Sequence, residues 1–310
     1  MPIPASSSSD PSTAGIFELF ALRVNAGGLK VGARNDSPVD VKGGVSGAFR
    51  AFYGVPAPPL GRFIRCFWEV EGALAVREKI LPRAELVVCV NLGDDQAVIG
   101  PGRRTRYSGS WLAGLQPGPL IVEACGHNWL CGARLTVDGA RRLFGNAAAA
   151  AAAAVVGLSD IRPQWALQLE SDVRRAPTPA ARFHAMEAAF ARLEPAPESA
   201  IDSIIRAVAR GERRAIGELA KLAGLRRQSL HQRFTRAVGM APKRLQRLVR
   251  FDAALALLQD GALNLAAVAA DSGYVDEAHL AKEFRMFSGA SPGAYRRARL
   301  AVDDPGFARA

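Results

Sequence analysis

No stretch of 18 or more consecutive apolar residues occurs in the 310-residue chain, so no segment reads as a membrane-spanning helix. The opening residues, MPIPASSSSDPST, carry neither a basic n-region nor an apolar core. No secretory leader is expected from them, and a cytoplasmic location is the default expectation. Histidine is scarce, at four residues. The strand-rich half holds only His127, with His184 in a later helical stretch, and no HxH or HxxxE cluster lies there. A metal site built on closely spaced His or carboxylate ligands is therefore not expected. Glu85, Asp94, Asp95 and Glu123 read as surface or turn residues. No nucleophile motif is present, so no catalytic residue and no cofactor are assigned and the chain is not read as an enzyme. Cysteine is also limited to four residues, Cys66, Cys89, Cys125 and Cys131, with no CxxC pair and no Pro-Cys step. Such thiols in strand-like sequence read as small buried residues, which argues against a cysteine-based DNA-alkylation or redox-responsive regulator.

What the chain does have is positive charge, +11 formally. An excess of this kind favours a polyanionic partner through counterion release. It is unevenly placed. Glu198 to Arg250 holds 13 Lys+Arg against 4 Asp+Glu, whereas Phe251 to Leu300 holds 5 against 6.

Residues 1–45, rich in Ser, Pro and Gly, are expected to be disordered or loosely packed. Residues 46–195 read as an α+β regulatory domain. Short apolar runs such as RFIRCFWEV, ELVVCVNLGD and NWLCGARLTV, broken by Gly, Pro and Asp, predict its strands. DGARRLFG predicts a short helix with Asp138 as its cap and Gly145 as its stop. Eight alanines, Ala147 to Ala154, follow. With no polar face to specify packing, they read as linker sequence. PAPES (195–199) marks the domain boundary, and 301–310 is a tail.

The region 198–300 is predicted to be all-helical. Ile201, Ile204, Ile205 and Val208 keep helical spacing, and Leu248, Phe251, Leu255 and Leu258 form the buried stripe of a long helix starting at Pro242. Around that long helix a pattern occurs twice. GLRRQSLHQRFTRAVGMAP and GYVDEAHLAKEFRMFSGASP align Leu230 with Leu280, Phe234 with Phe284, Gly239 with Gly289 and Pro242 with Pro292. Each follows a shorter apolar helix and a glycine, Gly224 or Gly273. The two units, about 215–238 and 264–288, read as helix-turn-helix pairs whose second helix can enter a major groove.

At 100° per residue, Leu230, Phe234, Ala237 and Val238 face inward, opposite Gln228, Ser229, Gln232, Thr235 and Arg236. In the second unit Leu280, Phe284 and Phe287 face inward, opposite Ala278, His279, Lys282 and Arg285. Glutamine pairs with adenine edges and arginine or lysine with guanine. Gln228, Ser229, Gln232, Arg236, His279, Lys282 and Arg285 are thus base-reading candidates. Arg226, Arg227, Arg233, Lys243 and Arg244 are phosphate-contact candidates. Arg226 stands at the cap of the first recognition helix and cannot accept the capping hydrogen bond. Asp276, Glu277 and Glu283 leave the second unit without net positive charge, which predicts weaker docking or a contribution to discrimination more than to affinity.

The segment 200–299, and above all AADSGYVDEAHLAKEFRMFSGASPGAYRR, resembles the DNA-binding domain of the AraC/XylS family of bacterial transcription regulators. The resemblance implies a sequence-specific DNA-binding transcription regulator, an activator more often than a repressor. Two readers on one polypeptide would reach groove segments about 34 Å apart. Double-stranded DNA is the implied partner, with RNA polymerase, a small-molecule effector and a second copy of the chain left open. LGRFIRCFWEV, ILPRAELVVCVNLGD and GARLTVDGARRLFG resemble, more faintly, a sensor-like domain preceding this module in some regulators, and transfer no effector-binding residue. A non-specific architectural nucleic-acid-binding protein is the alternative.

Overall fold

The computed structural model describes residues 39–42, 49–72, 78–100, 103–260 and 263–303. Most of the segment expected to be loosely packed lies outside these, as do 304–310. Within that segment, however, Val39–Lys42 forms strand β1, paired antiparallel with β2 (Phe49–Gly54).

The N-terminal domain contains two antiparallel sheets. The larger runs in the order β1, β2, β3 (Ile64–Gly72), β10 (Asn128–Leu135), β5 (Leu86–Asn91), β8 (Ser110–Ala113), β11 (Val155–Gly157). The smaller runs β4 (Glu78–Ile80), β9 (Leu120–Ala124), β6 (Gln96–Gly100), β7 (Arg103–Tyr107). Strand β3, between β2 and β10, is buried from Cys66 to Val70 because both its faces are covered there. Phe67 points to helix α5 (Pro179–Ala191), stacking 6.1 Å from Phe183, whereas Trp68 and Val70 join Leu130, Cys89 and Trp111 on the opposite face. Glu69 is fully buried in β3. Arg182 of α5 holds it with two hydrogen bonds of 2.7 Å, and the Trp129 indole donates a third at 2.9 Å, so the charge is not left uncompensated.

Helix α1 (Val137–Phe144) is capped two residues earlier than the sequence suggests. Thr136, not Asp138, is the cap and accepts from the Gly139 amide at 3.0 Å. Asp138 lies in the first turn, where it pairs with Arg206 at 2.9 Å. Gly145 ends the helix at φ 58° as expected.

The alanine tract is not a linker. Asn146–Ala150 forms a short helix, α2, with Ala148 and Ala151 buried. A featureless alanine surface allows close backbone approach, and it is packed here against α8 (Arg227–Val238) of the C-terminal half.

That half is all-helical: α6 (Ala200–Ala209), α7 (Ile216–Leu222), α8, α9 (Pro242–Asp260), α10 (Leu265–Ser272), α11 (Glu277–Ser288) and α12 (Pro292–Asp303). Leu248, Phe251, Leu255 and Leu258 of α9 are buried, and Phe251 sits 5.0 and 5.1 Å from Phe284 and Phe287 of α11. Buried residues of both halves form one continuous apolar cluster, from Phe63 and Leu143 through Phe234 to Tyr295. The architecture is thus a strand-rich α+β domain followed by an all-α domain.

Candidate nucleic-acid interface

The repeat in sequence is a repeat in backbone geometry. Each unit is a short helix (α7 or α10), a turn glycine in the left-handed region (Gly224, φ 64°; Gly273, φ 85°) and a twelve-residue helix (α8 or α11). Each twelve-residue helix then ends in a left-handed glycine, Gly239 at φ 74° and Gly289 at φ 77°. Positive φ at these stops is why both are glycine. The units differ at their starts. Asp276 caps α11 by accepting from the His279 amide at 2.7 Å, whereas Arg226 gives α8 no side-chain cap.

Leu230, Phe234 and Val238 are buried beneath α8, and Leu280, Phe284 and Phe287 beneath α11. On the outer surface of α8, Gln228, Gln232 and Arg236 are exposed and Ser229 is half-buried. Arg226, Arg227, Arg233, Lys243 and Arg244 are exposed beside them, Arg244 reaching the Pro117 carbonyl of the N-terminal domain at 3.5 Å. Thr235 departs from the outward face assigned to it: its hydroxyl is buried and has no hydrogen-bond partner among the described residues.

On α11, Lys282 and Arg285 are exposed. His279 is instead half-buried and turned to its own helix. Its Nδ1 accepts from the Val275 amide at 3.5 Å, its Nε2 stands 3.7 Å from Glu283, and its ring meets Tyr274 edge-on. It is therefore a poorer base reader than its helical phase suggests. Glu283, counted among the charges that would weaken docking, is buried. Arg247 and Arg250, one turn apart on α9, donate to it at 2.6 and 3.1 Å. Burial pushes its carboxyl up, but the two arginines outweigh this and hold it below the ordinary glutamate range. Of the three acids only Glu277 is both exposed and outside a described capping or ion-pair role, so the outer face of α11 is less acidic than composition implies. The Arg247–Arg250–Glu283 cluster, which welds α11 to the long helix, was not evident in the sequence. A clue lay in two arginines three residues apart on one helix. Arg213 adds a second join, donating to the Asp271 carbonyl at 2.8 Å just before the second turn.

The N-terminal domain contributes contacts rather than readers. Ala149 and Ala152 lie against Gly239 at the end of α8, Lys79 lies beside Gly289 at the end of α11, and Arg83 pairs with Asp252 of α9 at 2.7 Å. Between its sheets is an apolar cavity of about 100 Å³ lined by Ile80, Val98, Trp111, Leu120 and Leu130 among others. Cys66, Cys89 and Cys131 are buried, and burial pushes the Cys66 and Cys89 thiols up to about 11 and about 12; Cys125, outside expectation, is exposed and receives a contact from Arg104 at 3.3 Å. Among the described residues no group of three or more His, Cys, Asp or Glu could hold a metal ion, and no helix is long and apolar enough to cross a membrane.

Two helix-turn-helix units thus share one long helix. The chain is similar to known proteins over parts of its length. Residues 219–298 match the family model described as a helix-turn-helix domain, and residues 54–156 match one described as a domain of unknown function (DUF6597). Over 82 residues the chain is 35% identical to a helix-turn-helix-type transcriptional regulator of Haemophilus influenzae and 34% identical to an AraC-like transcription regulator of Streptomyces antibioticus. These matches cover 26% of this chain and only 28% and 27% of the relatives. Among solved structures, the DNA-binding domain of AdpA in complex with a target DNA is 27% identical, with 34% of this chain and 96% of that chain covered at a TM-score of 0.32. ToxT from Vibrio cholerae is 8% identical, with 81% and 98% covered at a TM-score of 0.45. Residues 219–298 thus form a helix-turn-helix domain, similar over 82 residues to those two regulators.

Proposed function

We propose that the chain is a sequence-specific transcription regulator that reads two successive major-groove segments, with α8 and α11 as recognition helices. The observation that carries this reading is the duplicated unit itself. Both twelve-residue helices bury Leu and Phe at matching positions, end in left-handed glycine, and turn Gln, Arg or Lys outward. Gln228, Gln232 and Arg236 on α8, and Lys282 and Arg285 on α11, are the base readers. Ser229 and His279, half-buried, make smaller contributions. Arg226, Arg227, Arg233, Lys243 and Arg244 hold phosphates. The relatives' names support regulation of transcription, and the resemblance to the AraC/XylS family favours activation, with RNA polymerase as the further partner. The N-terminal domain is the regulatory part, and its apolar cavity suits a small apolar effector. Two readers on one chain make a homodimer optional.

The test is selection of bound duplexes from a random pool by the full-length chain at near-physiological salt. Enrichment of two short motifs about ten base pairs apart is the expected result. One motif alone would remove α11 as a reader. Tight, salt-sensitive binding without enrichment would replace this reading with an architectural one.

A further inference from the structure

Where the two domains meet there is a cleft of about 460 Å³, the size of a small-molecule site. Five arginines line it from both sides. Arg65 and Arg83 come from the N-terminal domain. Arg210 and Arg213, at and beyond the end of α6, and Arg250 of α9 come from the DNA-binding domain. Three carboxylates also line it. Asp252 is committed to Arg83 at 2.7 Å and to the Ala84 amide at 3.3 Å, and Glu212 to Arg214 at 2.7 Å, which leaves Asp271. Four of the arginines have a partner, Arg65 at 4.0 Å from Glu85, Arg83 with Asp252, Arg213 donating to the Asp271 carbonyl at 2.8 Å and Arg250 donating to Glu283 at 3.1 Å, but not every donor is used. The Arg210 guanidinium is exposed and makes no hydrogen bond or ion pair among the described residues. Arg83 Nη1 and Arg250 Nε are buried without a hydrogen-bond partner among the described residues. Buried donors left unmatched are costly, and a planar guanidinium is matched best by a carboxylate or phosphate.

We infer that this cleft binds a small water-soluble oxyanion, carrying carboxylate or phosphate groups, that bridges arginines of the two domains. Occupancy would add acceptors for Arg83 and Arg250 and bring Arg210 into the junction, tightening the contact of the regulatory domain on α9. The site is separate from the apolar cavity between the sheets and from the outward faces of α8 and α11. It does not depend on the proposed DNA reading.

The test is calorimetric titration of the full-length chain with inorganic phosphate and, separately, with citrate, at constant ionic strength against chloride. Saturable binding of at least one anion is expected. Arg210→Gln and Arg83→Gln should each weaken it by about tenfold or more, as loss of a charged hydrogen bond does, and Arg103→Gln, exposed on β7 and away from the cleft, should leave it unchanged. Arg210 is exposed, so its variant keeps the test valid even where Arg83→Gln does not fold. Preference for one anion assigns the class as phosphate or carboxylate. Binding that never saturates, that survives Arg210→Gln intact, or that is lost with Arg103→Gln would overturn the inference. Anion binding without DNA binding would remove the regulator reading and leave this site standing.

Discussion

Gly239 and Gly289 offer a matched pair for measuring how firmly the alanine tract holds the first recognition helix. Both occupy the left-handed stop of a twelve-residue helix, at φ 74° and 77°. Alanine at either carries the same backbone cost of roughly 1–2 kcal/mol. Their surroundings differ. A Cβ at Gly239 would lie 2.2 Å from the Ala149 carbonyl oxygen and 2.5 Å from the Ala152 Cβ, so a backbone segment must move. A Cβ at Gly289 would meet only the Lys79 side chain, its ammonium at 2.9 Å, which is the far end of a long chain of methylenes and not backbone. Overpacking against an immobile neighbour adds about 1–3 kcal/mol. Gly239→Ala should therefore destabilise the full chain by about that much more than Gly289→Ala. Each kcal/mol shifts the unfolding midpoint by roughly 2–4 °C in chains of 150–250 residues, so scanning calorimetry of the two variants resolves the difference. Equal losses would refute the claim that the alanine tract is packed rigidly on α8.

Gln232→Ala should weaken binding to a selected site more than to random DNA, whereas Arg227→Ala should weaken both and flatten the salt dependence, as titrations at several salt concentrations would reveal. Glu283→Ala should destabilise the chain by about 3 kcal/mol in denaturant titration, because it leaves Arg247 and Arg250 without their shared carboxylate. The carboxyl of Glu283 is held below its ordinary range, so its contribution is fully present at neutral pH and lost as pH falls through that lowered range. Acid unfolding followed by circular dichroism should accordingly be less steep in Glu283→Gln. In the native chain a thiol reagent at pH 8 should label Cys125 quickly and Cys66, Cys89 and Cys131 only after unfolding, since the latter three are buried with raised thiol pKa values.

The C-terminal domain was readable in sequence because its determinants are local. Helical spacing put Leu230, Phe234, Leu280 and Phe284 on inner faces, and all four are buried. The strand-rich character of the first domain was legible from its apolar runs broken by turn residues. What escaped were pairings between distant segments. Glu283 looks like a solvated charge beside Lys282 and Arg285, and only the crossing of α9 brings Arg247 and Arg250 onto it. Glu85 looks like a turn residue, yet it is buried with Arg134 at 3.1 Å, 49 positions away. Eight alanines specify no face, so their sequence could not announce which surface they would cover. The cap of α1 was misplaced because Thr136 and Asp138 both suit a helix start, and the choice follows from where strand β10 ends.

The long helix α9 carries a consequence for the DNA as much as for the protein. Nineteen residues of α-helix form a rod of about 28 Å, pinned to α11 by aromatic packing and by two arginines on one carboxylate. Such a rod neither stretches nor swivels, so a chain using both units has a single reach and a single angular phase. A promoter site for it would tolerate changed letters far better than changed length. One base pair inserted between the two half-motifs turns the second away by roughly a tenth of the duplex turn.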